Sequence, residues 1–480
     1  MKRPSILSLF IFFSIHFSLF SQNSLHPTSD AYVYPEDPKV LEKLETWRDQ
    51  KFGILIHWGL YAVPGIIESW SICNEDWITR DTNSRYDDYK KWYWNLASEF
   101  NPQAFDPDQW AQAAAKAGMK YMVFTTKHHD GFAMFDTQQS DFSIARGPFA
   151  SHPKANVAHH VFEAFRKKNM MIGAYFSKPD WHSPYFWWDL YATPDRNVNY
   201  DIRKHPWRWN QFIQFTHNQI HELTHDYGDL DILWLDGGWV RPRETVTQEV
   251  INWGAPIPPF SQEINMPKLA EIAREKQPGL LIVDRTVHGP FENYRTPEQS
   301  IPATMSHDPW ESCITLGGAW GYVPNDQFKS AEKVIHQLCE VVAKGGNLLL
   351  GVGPTAQGLF LPAQIQRLEE IGRWLEVNGK GIYETRALSE FQDGAAYFTE
   401  SKDHKTRFAL YLLDEKNRHL PIQWGKHLPK SNTKIYLQGY AKPIPWFLDQ
   451  NKVQIRLPKD VRLSDQPALV FSFTPTLETK

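Results

Sequence analysis

Between about residues 50 and 380, short runs of consecutive apolar residues alternate with longer stretches whose apolar positions recur every three or four residues. The runs at 53–57, 121–126, 171–176, 231–236, 279–284 and 347–352 predict strands, and 108–117, 160–168, 266–275 and 330–344 predict helices between them. In the last helix Ala331, Val334, Ile335, Leu338, Val341 and Val342 share one face, and Gly345-Gly346 ends it. A further helix carries Ile365, Leu368, Ile371 and Leu375 at the same spacing. Strands that are apolar on both faces belong to a parallel sheet covered by helices. A strand–helix alternation of this length suits a (β/α)8-like barrel of the TIM type. After about residue 385 the period shortens to two. Runs at 407–413, 433–437, 453–457 and 468–473, separated by Pro, Asn, Asp and Gly, predict a C-terminal antiparallel β-sandwich.

The start of the chain has a different pattern. Lys2 and Arg3 precede an apolar run at 6–20, with Ser18, Ser21 and Gln22 at a cleavage zone, which predicts an export signal over 1–21. The run is short for a bilayer span and is broken by Ser8, Ser14 and His16. The expected organisation is a cleaved signal peptide at 1–21, a catalytic barrel over 22–385 and a β-sandwich over 386–480, in a periplasmic or secreted protein without an integral membrane span. No cysteine lies near the cleavage zone to carry a lipid. Cys73, Cys313 and Cys339 are the only thiols, so no disulfide framework supports the fold and a large core must hold it.

Charge narrows the classes further. The chain carries 51 basic and 55 acidic side chains, a formal net charge of −4, which leaves no excess of positive charge for coating nucleic acid. Apolar residues at 42% and charged residues at 22% exclude wholesale disorder. The unusual count is 20 Trp beside 29 Phe and 19 Tyr, rings that must fill cores or line a cleft.

The residues able to do chemistry follow one rule: each lies at the carboxyl end of an expected strand. The first strand runs into His57-Trp58-Gly59, and the second into Lys127-His128-His129-Asp130-Gly131. The third is followed by Asp180-Trp181-His182, the fourth by Asp236-Gly237-Gly238-Trp239, and the fifth by Asp284-Arg285. In a barrel these ends meet at one mouth. Adjacent strand residues point to opposite faces, so His128 and His129 are expected not to share a metal, and no second ligand cluster completes a shell. Asp236, stranded between an apolar run and Gly-Gly, suits a nucleophile or acid, although a capping role is the plainer alternative. Glycosyl transfer needs a second carboxylate. Glu292, Glu298 and Glu311 follow the fifth strand. Glu298 lies in a loop after Arg285 that can overhang the mouth, whereas Glu311, beside Trp310, suits a structural or substrate-holding role.

These motifs, in this order, resemble the family 29 glycoside hydrolases, the α-L-fucosidases. The resemblance is carried by Lys51-Phe-Gly-Ile-Leu-Ile-His57-Trp-Gly, Thr125-Thr-Lys-His-His-Asp-Gly131, Leu233-Trp-Leu-Asp-Gly237 and Val283-Asp-Arg285. It continues through Trp310-Glu-Ser-Cys, Trp320-Gly-Tyr and the glycine-rich run from Gly345 to Pro354. It implies a barrel followed by a β-sandwich, and retaining hydrolysis without metal or other cofactor. It implies Asp236 as nucleophile and Glu298 as acid/base, with Glu311 as the alternative. His57, His128, His129, Arg285 and Glu68 would hold the sugar hydroxyls. Trp234 and Trp320 would face the C5 methyl, and Trp70, Tyr175 and Glu311 would complete the substrate contacts. The family often has Glu directly before Trp, whereas this chain has Glu68-Ser69-Trp70. The implied partner is a fucosylated oligosaccharide, and self-association is left open. The nearest alternatives are an α-L-galactosidase or a sulfated-fucan-directed enzyme on the same scaffold, a sugar-binding barrel without activity, and a metallo-hydrolase.

Overall fold

The computed structural model describes residues 32–80, 84–464 and 466–476, and the expected export signal at 1–21 lies outside them. The first half runs α1 (Pro38–Gln50), β1 (Phe52–Ile56), α2 (Tyr86–Asn95), α3 (Pro107–Lys116), β2 (Tyr121–Lys127), α4 (Val157–Arg166), β3 (Met171–Ser177), α5 (Pro206–Asp226) and β4 (Ile232–Asp236). It continues with α6 (Gln248–Asn252), α7 (Met266–Glu275), β5 (Leu281–Asp284), β6 (Glu311–Thr315), α8 (Ala331–Ala343), β7 (Asn347–Val352) and α9 (Pro362–Asn378). The C-terminal strands are β8 (Thr385–Asp393), β9 (Ala396–Ser401), β10 (Arg407–Leu412), β11 (Gln423–Trp424), β12 (Ile435–Leu437), β13 (Pro443–Ile444), β14 (Trp446–Asp449), β15 (Lys452–Ile455) and β16 (Ala468–Phe473).

Strands β1 to β7 pair in parallel in the order β5-β4-β3-β2-β1-β7-β6. Leu55, Val123, Trp234, Val283, Cys313 and Leu349 fill the concave side. Trp110, Val161, Phe165, Val334, Leu338 and Leu368 of the surrounding helices cover the convex side, which is why these strands are apolar on both faces. Among the described residues the sheet has seven regular strands. The eighth position is taken by the irregular segment 292–299, which bonds to both edges. Asn293 N–H donates to the Ile282 carbonyl (2.9 Å), while the Arg295 and Pro297 carbonyls accept from Glu311 and Cys313 (2.8 and 3.1 Å). Pro297 has no N–H to offer a ladder, so the pairing stays irregular. This segment carries Glu298 to the rim.

Helix α1 closes the amino end. Asp37 caps it by accepting the Lys39 N–H (2.8 Å). Its Trp47 stacks on Tyr294 at 4.0 Å inside the barrel, and the Trp47 carbonyl accepts from Asn347 at the start of β7 (2.8 Å). The C-terminal strands form a six-stranded antiparallel sheet and a three-stranded one. Phe398, Ala409 and Phe471 of the larger sheet share a core with Trp424 and Val453 of the smaller, which is the expected sandwich. The other face of the larger sheet, through Phe408, Leu410 and Val470, joins the helix-side core of the barrel. Among the described residues no helix is long and apolar enough to cross a membrane.

Candidate active site

Parallel pairing in register brings the strand ends to one rim. Ser177, last in β3, pairs with Asp236, last in β4. The Asp236 carboxylate is held on both oxygens: Oδ1 accepts from Arg285 Nη1 (2.8 Å) and Oδ2 from the Tyr175 hydroxyl (2.7 Å). His129 Nε2 lies 3.8 Å from Oδ2. Burial pushes the Asp236 carboxyl up, but the Arg285 guanidinium, with the Tyr175 hydroxyl and the Gly237 N–H, outweighs it and holds it well below the usual carboxylate range. The next residue must be glycine. Its φ is +87°, and a Cβ there would meet Pro179 Cδ at 2.2 Å.

Arg285 links Asp236 to a second carboxylate. Its Nη2 donates to Glu298 Oε2 (2.8 Å) and its Nε to Thr296 (3.0 Å), while the guanidinium lies 4.3 Å from the centre of the Trp234 ring. One planar fork thus grips both carboxylates, a geometry that lysine could not reproduce. The Trp320 indole N–H reaches the other Glu298 oxygen at 3.3 Å, and the Glu298 side chain remains 27% exposed.

Three imidazoles line the same mouth. The His57 ring stacks on Trp320 at 5.3 Å, and the His128 and His129 rings lie 4.1 Å apart. Opposite faces were expected for His128 and His129, but β2 ends at Lys127, so strand alternation no longer applies and both rings turn into the cleft. His128 Nδ1 is bonded to Ser69 Oγ (2.5 Å) and His129 Nδ1 to Ser177 Oγ (2.8 Å). Burial lowers all three pKa values, that of His128 to about 4, so the rings are neutral and can each donate and accept. The extra Ser69 that separates Glu68 from Trp70 therefore orients His128. Trp70 packs edge-on to His129 at 5.1 Å. Glu68 Oε1 accepts the Trp320 and Gly321 N–H groups (2.9 and 3.0 Å). Burial, aided by nearby Glu298 and opposed by those two bonds, raises its carboxyl to about 7. Among the described residues no three His, Cys, Asp or Glu are gathered to hold a metal ion.

Glu311 does not join this rim. It is the first residue of β6, paired with the first of β7, and fully buried at the amino end of the barrel. Its oxygens accept from the Tyr121 hydroxyl (2.7 Å) and the Trp234 indole (3.2 Å). The sequence offered it as a second carboxylate or a substrate contact. Its register corrects this, because it reaches the mouth only through Trp234. Burial raises its carboxyl to about 7 against those two bonds. A carboxyl that holds its proton more tightly when folded costs stability as pH rises from the unfolded value, 4.5, towards about 7. Glu311→Gln removes this dependence. In urea unfolding its stability relative to the parent is expected to improve by about 2–3 kcal/mol between pH 4.5 and 7.5. A pH-independent difference would contradict the assignment.

Two buried ion pairs that the sequence did not flag brace the rim: Lys127 with Asp180 (3.1 Å) and Lys178 with Asp284. A signal for them was present. A lysine at the carboxyl end of an apolar strand, in a sheet with an Asp at the same end of another strand, needs a partner once buried.

A parallel α/β barrel with two carboxylates gripped at its mouth is the architecture of a glycoside hydrolase. The α-L-fucosidase family matches residues 19–380, and the chain belongs to that family. Human plasma α-L-fucosidase is 27% identical over 431 residues, covering 87% of this chain and 86% of the relative. Mouse tissue α-L-fucosidase is 27% identical over 438 residues, covering 87% and 88%. Among solved structures, α-L-fucosidase isoenzyme 1 from Paenibacillus thiaminolyticus superposes with a TM-score of 0.72 at 27% identity, over 91% of this chain and 100% of that one. The Thermotoga maritima α-fucosidase in complex with fucose shares the fold, with a TM-score of 0.69 at 24% identity over 92% and 100%.

Proposed function

We propose that the chain is an exported exo-α-L-fucosidase that removes terminal α-L-fucose from oligosaccharides or glycoconjugates with retention, using a catalytic barrel over 22–385 and a β-sandwich over 386–480. An Asp236 oxygen attacks C1 while the C1–O glycosidic bond breaks and Glu298 gives its proton to the leaving oxygen. Water then attacks C1 of the fucosyl-Asp236 ester, Glu298 takes the water proton, and the carboxylate departs. Arg285 keeps Asp236 ionised and aligned. His57, His128, His129 and Glu68 bind the hydroxyls, and Trp320 with Trp234 supplies apolar surface for the C5 methyl. The observation that carries this reading is the single guanidinium bonded to Asp236 on one amino group and to Glu298 on the other.

Paired kinetics on aryl α-L-fucoside and aryl α-L-galactoside test it. The galactoside adds a hydroxyl where fucose has only a methyl hydrogen, and kcat/KM is expected to favour the fucoside by about 10²-fold. A preference for the galactoside would replace the reading with the alternative substrate on the same machinery. Cleavage of the first 21 residues, read by mass spectrometry of exported protein, tests export.

A further inference from the structure

Trp77 is 51% exposed, yet its ring is not loose. It packs on Trp70 with ring centres 5.2 Å apart, and its indole N–H donates to Glu75 Oε2 (2.7 Å). The same carboxylate holds Arg196. Oε1 accepts from the Arg196 backbone N–H (3.1 Å) and Nε (2.7 Å), and Oε2 from Nη2 (2.6 Å). The guanidinium lies over two indoles, 4.8 Å from Trp70 and 5.1 Å from Trp239. The Arg196 carbonyl accepts the indole N–H groups of Trp181 and Trp239, both at 3.1 Å. Two loops, one after β1 and one after β3, are thus tied together by one carboxylate. Immobilising an exposed indole costs conformational freedom and leaves apolar surface in water, which the fold alone does not require.

The position gives the reason. Trp70 and Trp239 both pack against His129, at 5.1 and 4.9 Å, and His129 lies 3.8 Å from Asp236. The aromatic surface is therefore continuous from the nucleophile position out to Trp77. Arg196 turns Nε and Nη2 towards Glu75, and among the described residues Nη1 takes no partner. Glu75 neutralises the guanidinium locally, so the surface does not select an anion. A flat indole face beside one free donor matches the C–H face and edge hydroxyls of a neutral pyranose.

We propose that Trp77 and Arg196, both fixed by Glu75, form a subsite for the neutral hexopyranose to which the terminal fucose is bonded. This rests on the fucosidase reading and adds the place of the departing sugar. The test compares α-L-fucosyl fluoride, which carries no second sugar, with α-1,2-, α-1,3-, α-1,4- and α-1,6-fucosyl disaccharides. For the best-cleaved disaccharide, the ratio of its kcat/KM to that of the fluoride is expected to fall about tenfold in Trp77→Ala, mainly through KM. Trp77→Tyr, which keeps an aromatic face, is expected to retain most of the ratio. Because Trp77 is exposed, its removal does not empty the core. An unchanged ratio, or equal losses on both substrates, overturns the subsite and leaves the fucosidase reading standing. A parent enzyme inert towards every one of these fucosides overturns both.

Discussion

Asp236→Ala is expected to lower kcat on an aryl α-L-fucoside by about 10⁴-fold or more, as removal of a covalent nucleophile does elsewhere. The reason lies in what surrounds the carboxylate. Arg285 and the Tyr175 hydroxyl occupy its two oxygens and keep it charged in a buried setting. That arrangement serves an anion at this point rather than a general acid. Truncation leaves the Arg285 guanidinium facing a space the size of a carboxylate, with its Glu298 contact intact. A small external anion can fill that space. Azide is therefore expected to restore part of the rate and to yield β-L-fucosyl azide, since it attacks from the face the aspartate occupied. Turnover that survives the substitution without azide would remove Asp236 from the reaction.

Glu298→Ala is expected to act through the leaving group. On disaccharides, whose departing alcohol needs a proton, the loss is about 10²–10⁴-fold. On fucosides of acidic phenols, which leave without help, the first step is expected to change far less. The rate should then be limited by breakdown of the fucosyl-enzyme and be accelerated by azide with formation of the α-azide. Glu311→Ala separates the two carboxylates that the sequence left in competition. It removes the acceptor of Tyr121 and Trp234 at the amino end of the barrel, so any loss of activity should be the same across leaving groups. A leaving-group dependence in Glu311→Ala and none in Glu298→Ala would reverse the assignment.

The competition between Glu298 and Glu311 shows where the sequence ceases to inform. Strands such as β7, whose apolar run is unbroken, are legible to the residue. β6 reads Glu-Ser-Cys-Ile-Thr and looks like a loop, because its burial comes from the barrel interior and not from apolar composition. Without that strand the position of Glu311 has no register, and nothing in the chain distinguishes the amino from the carboxyl end of the barrel. Glu298 is the converse. It sits in an irregular segment around Pro297 that only pairing to both sheet edges could locate. Helix α5, 21 residues long, was not anticipated because His, Gln and aromatic residues interrupt its apolar face. β8 was not anticipated because a register shift between Ala387 and Gln392 breaks its period of two. The polar residues after β1, β2, β4 and β5 were legible for a physical reason: an apolar parallel strand can only place a charged residue at its end, and the barrel gathers those ends. Their supports were not. Ser69 and the Glu75–Arg196 pair come from distant loops and Ser177 from the end of β3, and their roles depend on distances that no spacing encodes.

In the proposed reaction Asp236 carries the sugar between the two steps. Incubation with 2-deoxy-2-fluoro-α-L-fucosyl fluoride, in which fluorine at C2 slows both formation and release of the fucosyl-enzyme while the good leaving group restores the rate of formation, followed by peptide mass mapping, tests it directly. One fluorofucosyl ester is expected, on the peptide bearing Asp236. An adduct on Glu68 or Glu298 instead, or consumption of the reagent to β-configured sugar with no adduct, would contradict it.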